Sequence, residues 1–334
     1  MSETDFTWRD AERTIVFRAA AMADVMELLA RHGWEEYELL TTQSGLAQGP
    51  IELPEQAASL HLVPPGPVNE TSAGLIDALE GQRLVALGGG RVIDTAKAIA
   101  AVRGGAVAAL PTTLSGAELT RIHRLPQGRD APGLVRPRLV VADPAAMTSL
   151  PERRLRASAM NALAHGIESL YVPSSHPVAT LAALRGAELI AGALDHGLDD
   201  ATRVELALGS LLCAYALDGT GIALHHVVCQ TLVRTMNLPH AETNAALLPH
   251  TVEAMAGRAP REIADLARAL GTRPATIGER LEDLMGGRRT LTELGADEGL
   301  LDAALDAMLA REQLANTPDP PDRAELEAIV RAAW

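Results

Sequence analysis

The stretch Leu84-Val-Ala-Leu-Gly-Gly-Gly-Arg-Val-Ile-Asp-Thr-Ala-Lys97 decides the fold of this chain. An apolar run typical of a buried strand ends in three glycines, and a helical pattern begins at once. Glycines there let backbone N–H groups approach a phosphate, and the dipole of the following helix favours an anion. We therefore predict a phosphate-binding turn at Gly88, Gly89 and Gly90. The alternative is a tight strand–helix turn, with Asp94 only complementing the helix dipole.

The two halves of the chain differ in pattern on either side of about residue 150. In the first half, β-rich runs alternate with helical patterns, which predicts parallel strands joined by crossover helices. In the second half only helical patterns occur. We therefore predict an α/β domain over residues 1–149 and an all-helical domain over residues 150–334. The predicted strands are Thr14–Phe17, Glu38–Thr42, Leu60–Val63, Leu84–Leu87, Val107–Leu110 and Leu139–Ala142.

Composition excludes several classes of function. The 334 residues carry a net charge of −14, which disfavours both nucleic-acid phosphates and anionic membranes. Two cysteines, Cys213 and Cys229, provide neither a disulfide framework nor a thiolate metal site. The polar, acidic amino terminus is unlike a signal peptide. We therefore expect a cytoplasmic protein that binds neither nucleic acid nor membrane.

A second motif, Leu110-Pro-Thr-Thr-Leu-Ser-Gly-Ala-Glu-Leu-Thr120, follows the next predicted strand. Doubly wound sheets bind ligands at the carboxyl ends of their strands. Thr112, Thr113 and Ser115 can offer hydroxyls there to a ribose or a pyrophosphate. The alternative is a Ser/Thr turn that caps a helix.

A third group of polar residues lies in the helical half. Asn161 and His165 stand four residues apart and therefore share one face of a predicted helix. His225, His226 and His240 follow in two later apolar segments. These side chains are candidates for a metal or catalytic site, although their spacing does not match H-E-x-x-H. The alternative is a set of hydrogen-bonded structural histidines.

Taken in order, four motifs resemble the iron-containing alcohol dehydrogenase superfamily, and within it most of all the maleylacetate reductases. The motifs are GGGRVIDTAKAIA (88–100), PTTLSGAELT (111–120), NALAHGIESLY (161–171) and HHVVCQTLVRTMNLPHAET (225–243). The resemblance implies the dehydroquinate synthase-like architecture, in which a nucleotide-binding α/β domain and an all-helical domain have the active site in the cleft between them. It also implies NAD(H) or NADP(H) as cofactor and a homodimer, which is common in the family.

The resemblance also implies roles for individual residues. Cofactor contacts are expected at Thr41, Thr42, Gly88, Gly89, Gly90, Asp94, Thr112, Thr113 and Ser115. Metal ligands for Fe²⁺ or Zn²⁺ are expected at Asn161, His165, His226 and His240. Asn161 stands where the alcohol dehydrogenases have an aspartate and the maleylacetate reductases usually have asparagine. Without that anionic ligand, we expect the site to hold a metal ion less tightly.

Several positions depart from the family pattern. In the first half, Phe17–Ala21 stands where the family has a glycine-containing turn, Arg91 replaces a serine and Arg121 replaces a proline. In the second half, Gln230 replaces a histidine implicated in proton transfer, and Val233-Arg234 replaces a Gly-Gly pair near the nicotinamide. Asn244 replaces a further histidine. Gln230 cannot exchange a proton near neutral pH as imidazole can. Arg91 and Arg234 either narrow the cofactor groove or bind a phosphate or carboxylate directly.

Two functions are therefore carried forward. The first is an NAD(P)-dependent oxidoreductase that moves a hydride to or from a small anionic substrate, a carboxylate-bearing oxo, hydroxy or unsaturated compound. In a further form of this hypothesis, the enzyme oxidises a 3-hydroxy acid or a peptide carboxyl end, and the oxidised product then loses CO₂. Its catalytic candidates are His165, His225, His226, His240 and Arg234, with Arg91 and Arg121 as further carboxylate anchors. The second is a non-redox lyase or decarboxylase, or a binding or partner subunit, that has lost hydride transfer, as Gln230, Arg91 and Arg234 favour.

Overall fold

The computed structural model describes residues 6–10 and 13–334, so the rest of the polar amino-terminal segment lies outside the described residues. The chain divides into two compact units, one ending at Leu150 and the other spanning Pro151–Trp334.

The amino-terminal unit is built on a seven-stranded sheet in the order β1-β2-β7-β6-β5-β3-β4. Its strands are β1 (Phe6–Asp10), β2 (Arg13–Phe17), β3 (Glu38–Thr41), β4 (Ser59–Leu62), β5 (Arg83–Gly88), β6 (Ala106–Pro111) and β7 (Leu139–Ala142). All neighbours are parallel except β1 and β2, which pair antiparallel at one edge. The predicted parallel sheet is therefore confirmed, and β1 is the strand that sequence analysis missed.

Helices cover both faces of this sheet. They are α1 (Val25–Arg31), α2 (Gln43–Gln48), α3 (Glu52–Glu55), α4 (Val68–Leu75), α5 (Gly90–Arg103) and α6 (Pro144–Met147). Successive residues of β5 point to opposite cores, with Val85 in the core that includes α1 and Ala86 in the core that includes α5. Burial on both faces explains why the strands are continuous apolar runs rather than alternating ones.

The described elements of the carboxy-terminal unit are all helical. Its α-helices are α7 (Glu152–Tyr171), α8 (Pro177–Asp195), α9 (Asp200–Thr220), α10 (Leu224–Met236), α11 (His240–Met255), α12 (Pro260–Ala269), α13 (Ile277–Met285), α14 (Leu301–Leu309) and α15 (Arg323–Ala332). The last helix begins with a capping box formed by Asp322 and Glu325. The predicted all-helical character of the second half is therefore confirmed for the described residues.

Glycines allow three of these helices to pack closely. A Cβ atom at Gly186 of α8 would lie 2.6 Å from the Sγ of Cys213 and 2.8 Å from the carbonyl oxygen of Gly209, both on α9. α8 is long and apolar enough to cross a membrane by length and composition. It packs against α7 and α9, and a core helix satisfies the same length and composition test.

Candidate functional site

The three glycines form a turn from β5 into α5. Gly88 has φ +157°, and a Cβ atom there would lie 2.7 Å from the Cγ2 of Val92. Gly90 begins α5, and Gly89 precedes it without a side chain to cap the first N–H groups. The N–H of Thr112 donates to the carbonyl oxygen of Gly88 at 3.0 Å. The turn thus leaves an uncapped helix N-terminus beside a backbone surface without side chains, which suits a phosphate.

The second motif packs directly against this turn. A Cβ atom at Gly89 would lie 3.0 Å from the Oγ1 of Thr113, and one at Gly90 would lie 3.0 Å from the Cβ of Ser115. The two predicted cofactor motifs therefore form one surface, here called the glycine cradle: Gly88–Gly90 with Thr112, Thr113 and Ser115. Arg91 is exposed in the first turn of α5, where a cation opposes the helix dipole unless an anion lies near.

Thr41 and Thr42, the predicted adenosine contacts, already use their hydroxyls within this unit. Thr41 is buried and donates from Oγ1 to the carbonyl oxygen of Leu87 at 2.8 Å. Thr42 caps α2, because its Oγ1 accepts the N–H of Gly45 at 3.1 Å. These hydroxyls hold the end of β3 and the start of α2, so any contact with a nucleotide at these positions would be shared with those bonds.

Asp94 forms an ion pair with Lys97, whose Nζ lies 2.8 Å from Oδ1. Lys97 is fully buried and donates to three carbonyl oxygens of the second motif and the segment after it, those of Ala117, Thr120 and Ile122, at 2.8 to 3.1 Å. Burial raises the pKa of Asp94, and Lys97 opposes that rise. The pair therefore fixes the loop that carries the cradle hydroxyls, a role that the sequence did not reveal for Lys97.

Glu118 lies close to this pair and is fully buried. Neither of its carboxyl oxygens has a hydrogen-bond partner in the part of the chain that the structure describes. Burial raises the pKa of Glu118 to about 7, and Lys97 limits that rise. Glu118 belongs to the second motif, and the residue pattern there gives no sign of its burial.

In the carboxy-terminal unit, the best-defined polar pair is Glu168 with His226. The Nδ1 of His226 lies 2.5 Å from the Oε2 of Glu168, and the backbone N–H of His226 donates to Oε1 at 3.1 Å. Burial raises the pKa of Glu168, while the charge of His225 and backbone N–H groups at the start of α10 oppose the rise. Burial lowers the pKa of His226 to about 3, and His240 and Arg311 add to that effect.

This pairing directs one imidazole nitrogen. With Nδ1 bonded to Glu168, the buried Nε2 of His226 has no hydrogen-bond partner among the described residues. A carboxylate on one ring nitrogen fixes the tautomer and makes the other nitrogen available. Glu168 is thus a residue of the site that sequence analysis missed. The available signal was its position three residues after His165 on the same helix.

The predicted metal ligands do not form a metal site in the described structure. No group of three or more His, Cys, Asp or Glu side chains there could hold a metal ion. The rings of His165 and His226 stack at 4.9 Å with an angle of 16° between them. The Nδ1 of His165 and the Nε2 of His226 are both buried without a hydrogen-bond partner among the described residues. His240 is exposed at the start of α11, and the Oδ1 of Asn161 already accepts the Nδ2–H of Asn244 at 2.7 Å.

His225, predicted as a catalytic candidate, is bonded through both ring nitrogens. Its Nδ1 lies 2.8 Å from the Oγ1 of Thr251, and its Nε2 lies 2.5 Å from the Oδ1 of Asn244. Asn244 continues this chain to Asn161. The departure at residue 244 therefore has a structural reason, because its amide joins two buried groups of the cluster. Both ring nitrogens of His225 are therefore engaged by side chains of the same unit.

The predicted arginine anchors lie in different places. Arg234 is exposed on α10 and donates to the Oε1 of Gln230 at 3.4 Å. Arg121 instead lines a cavity of about 380 Å³ together with Arg13, Arg136 and Arg138. That cavity lies where β2, β6 and β7 begin, at the opposite end of the sheet from the glycine cradle. The loop after Thr120 thus brings Arg121 to the amino ends of these strands, and its role as a carboxylate anchor stays a prediction.

Comparison with known proteins identifies the family. The family model for the Fe-containing alcohol dehydrogenase family, C-terminal, matches residues 156–334. The chain belongs to the Fe-containing alcohol dehydrogenase family, and it is an enzyme of the oxidoreductase class.

Among its relatives are several maleylacetate reductases. The chain is 31% identical over 311 residues to the maleylacetate reductase of Pseudomonas sp. strain P51, covering 90% of this chain and 87% of the relative. It is 35% identical over 272 residues to that of Burkholderia cepacia, covering 77% and 76%. The crystal structure of the maleylacetate reductase from Agrobacterium tumefaciens superposes with a TM-score of 0.84 at 28% identity, covering 99% of this chain and 98% of that one.

Proposed function

We propose that this enzyme is an NAD(P)-dependent oxidoreductase acting on a small carboxylate-bearing oxo, hydroxy or unsaturated substrate. The observation that carries the proposal is the glycine cradle. Three glycines at an uncapped helix N-terminus pack against Thr113 and Ser115 without room for a Cβ atom at Gly88. That arrangement is suited to the pyrophosphate of a dinucleotide.

The bound nicotinamide would supply the chemistry of hydride exchange with a substrate carbon. The chain must then manage one proton and the negative charge on the neighbouring oxygen. We assign the proton to His226, a role supported by Glu168, which occupies Nδ1 and leaves Nε2 without a partner among the described residues. In oxidation, Nε2 accepts the hydroxyl proton as the carbonyl forms. In reduction, the same atom returns a proton to the oxygen, so each turnover balances one hydride and one proton.

His165 contributes in a different way. It stacks on His226, and burial lowers its pKa well below the ordinary value. A neutral ring in this position shields His226 from water and limits the ways in which it can turn. We assign no step to Fe²⁺ or Zn²⁺, since the described residues contain no group of three or more His, Cys, Asp or Glu side chains that could hold such an ion.

Calorimetric titration with NADH and NADPH tests the proposal. We expect micromolar binding of one of them, followed by loss of nicotinamide absorbance when oxo acids such as maleylacetate are added. The matched control is His196→Gln, which changes an exposed histidine of the same unit and should leave turnover unchanged, whereas His226→Gln should abolish it. Absence of binding by a folded protein, with and without added Zn²⁺ or Fe²⁺, contradicts the proposal.

A second candidate is a non-redox lyase or a partner subunit on the same fold. The observation in its favour is Gln230, whose amide is bonded to arginine side chains instead of offering an exchangeable proton. The same titration separates the two, because this candidate requires no nicotinamide binding. Oxidation of a 3-hydroxy acid or a peptide carboxyl end, the cytoplasmic location and the homodimer stay predictions.

A further inference from the structure

Hydride transfer to an oxo substrate places negative charge on the carbonyl oxygen. The charge collects there whether the hydride adds to the carbonyl carbon or to a double bond conjugated with it, and it stays until a proton arrives. His226 exchanges that proton in the proposed function, but no residue has yet been assigned to the charge. A hydrogen-bond donor fixed beside the oxygen would stabilise the charged state.

Asn161 carries a donor of this kind. It lies on α7 one helical turn before His165, whose ring stacks on that of His226 at 4.9 Å. Its Oδ1 accepts the Nδ2–H of Asn244 at 2.7 Å, whereas its own Nδ2 has no hydrogen-bond partner among the described residues. That nitrogen is not one of the buried polar atoms without a partner, so it belongs to the 5% of Asn161 that is exposed. Asn161 therefore presents its amide nitrogen, and not its oxygen, to a ligand.

A chain of hydrogen bonds that begins at His225 on α10 sets this orientation. The Oδ1 of Asn244 lies 2.5 Å from the Nε2 of His225. An amide oxygen can only accept, so Nε2 carries a proton, as it does in both the neutral and the protonated ring that this contact allows. With its oxygen bonded to His225, Asn244 directs its Nδ2 at Asn161, whose oxygen must then face Asn244. The direction of the chain thus leaves a donor at its far end.

We propose that the free Nδ2–H of Asn161 donates to the oxo oxygen of the substrate while His226 exchanges the proton. Asn161 is in this arrangement a catalytic residue, because it touches the oxygen on which charge develops. Asn244 and His225 are positioning residues, because they act only through the amide of Asn161. The inference rests on the proposed function in taking His226 as the proton-exchanging residue.

A donor at this position has two measurable consequences. An oxo compound gains a hydrogen bond that a methylene analogue of the same shape lacks, which should favour its binding about tenfold. The bond strengthens as charge develops, so loss of the donor should lower kcat by about a hundredfold or more. A metal ion would instead require the amide oxygen of Asn161, which Asn244 already occupies.

The test compares maleylacetate with (Z)-hex-2-enedioate, which lacks only the oxo oxygen. Both are titrated into the full chain by calorimetry, with and without saturating NAD⁺ or NADP⁺, and turnover of maleylacetate is followed with NADH or NADPH. We expect wild type to prefer maleylacetate. Asn161→Asp keeps an oxygen for Asn244 but turns a second acceptor toward the ligand. It should lose the preference and most of kcat, with the affinity for NADH unchanged.

Asn244→Asp tests the positioning role without changing Asn161. A carboxylate still accepts from His225 but cannot donate to Asn161, so the amide of Asn161 should turn its oxygen toward the ligand and the preference should again be lost. Gln313→Glu is the matched control, because it makes an amide-to-carboxylate change at an exposed residue of the same unit and should change neither readout. If a buried carboxylate prevents folding, Asn161→Leu, of similar shape and without charge, should also lose the preference.

Parallel titrations with NADH separate this inference from the proposed function. If NADH does not bind but Asn161→Asp loses the preference, the donor stands and the oxidoreductase proposal fails. Three results overturn the donor: equal binding of the two acids by wild type, no binding of maleylacetate, or the wild-type preference in folded Asn161→Asp. Activity of Asn161→Asp that rises with added Zn²⁺ or Fe²⁺ overturns it as well, because residue 161 would then act as a metal ligand. The wild-type preference in folded Asn244→Asp overturns the positioning role of Asn244.

Discussion

The glycine cradle and the histidine cluster differ in what forms the site, the backbone or the side chains. The histidine cluster consists of His165, His225 and His226 with Glu168, Asn161 and Asn244. In the cradle, the backbone is the functional surface, and side chains are excluded at Gly88 and crowded at Gly89. In the cluster, buried side chains satisfy one another, as Glu168 does for His226. A backbone site depends on which atoms are missing, whereas a side-chain site depends on which partners are present.

The largest expected effect lies in the cluster. Glu168→Ala leaves the Nδ1 of His226 and backbone N–H groups of α10 without their buried acceptor. We expect it to lower the free energy of unfolding by about 4 kcal/mol, measured by urea denaturation. Glu168→Gln keeps the shape and should fold, yet lose activity by about a hundredfold because the ring of His226 is no longer held in one tautomer. Full activity in a folded Glu168→Gln variant would contradict the role of this pair.

Glu118 sharpens the comparison, because it is a buried side chain in the unit that holds the cradle, and its carboxyl oxygens have no hydrogen-bond partner among the described residues. Its pKa is raised to about 7, so between pH 4.5 and 7 the folded state keeps a proton that the unfolded state loses. Stability therefore falls as the pH rises through this window and stays low above it, by about 3 kcal/mol in total. Glu118→Gln should remove that dependence and be more stable than wild type at pH 8. Unfolding midpoints measured from pH 4 to 8 decide this, and parallel curves for the two proteins would count against it.

The sequence predicts those features that depend on backbone conformation. The glycines at residues 88–90 and the apolar strands before them can be recognised from the sequence alone, because the turn and the buried sheet each restrict which residue types can stand there. For the histidine cluster, the sequence predicts several of the residues that belong to it but not how their side chains pair. Glu168, Asn244 and Arg311 matter because of residues 58, 19 and 81 positions away along the chain. No local pattern encodes such a pairing, so the sequence reveals neither the partners of these side chains nor the position of Arg121 beside Arg13, Arg136 and Arg138. The metal-ligand set stays a prediction.

The cradle itself gives the third prediction. Gly88→Ala introduces a Cβ atom 2.7 Å from the Cγ2 of Val92 at φ +157°. We expect a loss of about 2 kcal/mol in stability and NADH binding weakened at least as strongly, because the turn must move. Gly74→Ala in α4 is the matched control, since nothing lies within 4 Å of a Cβ atom there and alanine favours a helix. Equal NADH affinity in Gly88→Ala and Gly74→Ala would contradict the role of the glycine cradle in binding the cofactor.

The smallest effect concerns the turn after β2, where a glycine was expected from the family pattern. Ala20 is exposed there and has φ 57° and ψ 24°, a left-handed conformation that an alanine adopts at a cost of about 1 kcal/mol. Ala20→Gly should therefore raise the free energy of unfolding by about 0.5 kcal/mol, after the greater freedom of glycine in the unfolded chain is deducted. Ala23→Gly, three residues later in the same turn region and without a positive φ, should lower it by a similar amount. If urea denaturation shows that Ala20→Gly raises the free energy of unfolding and Ala23→Gly lowers it, then the backbone conformation determines the effect at residue 20, as it does in the cradle. Destabilisation by both variants would mean that the side chain of Ala20 makes a contact worth more than its strain.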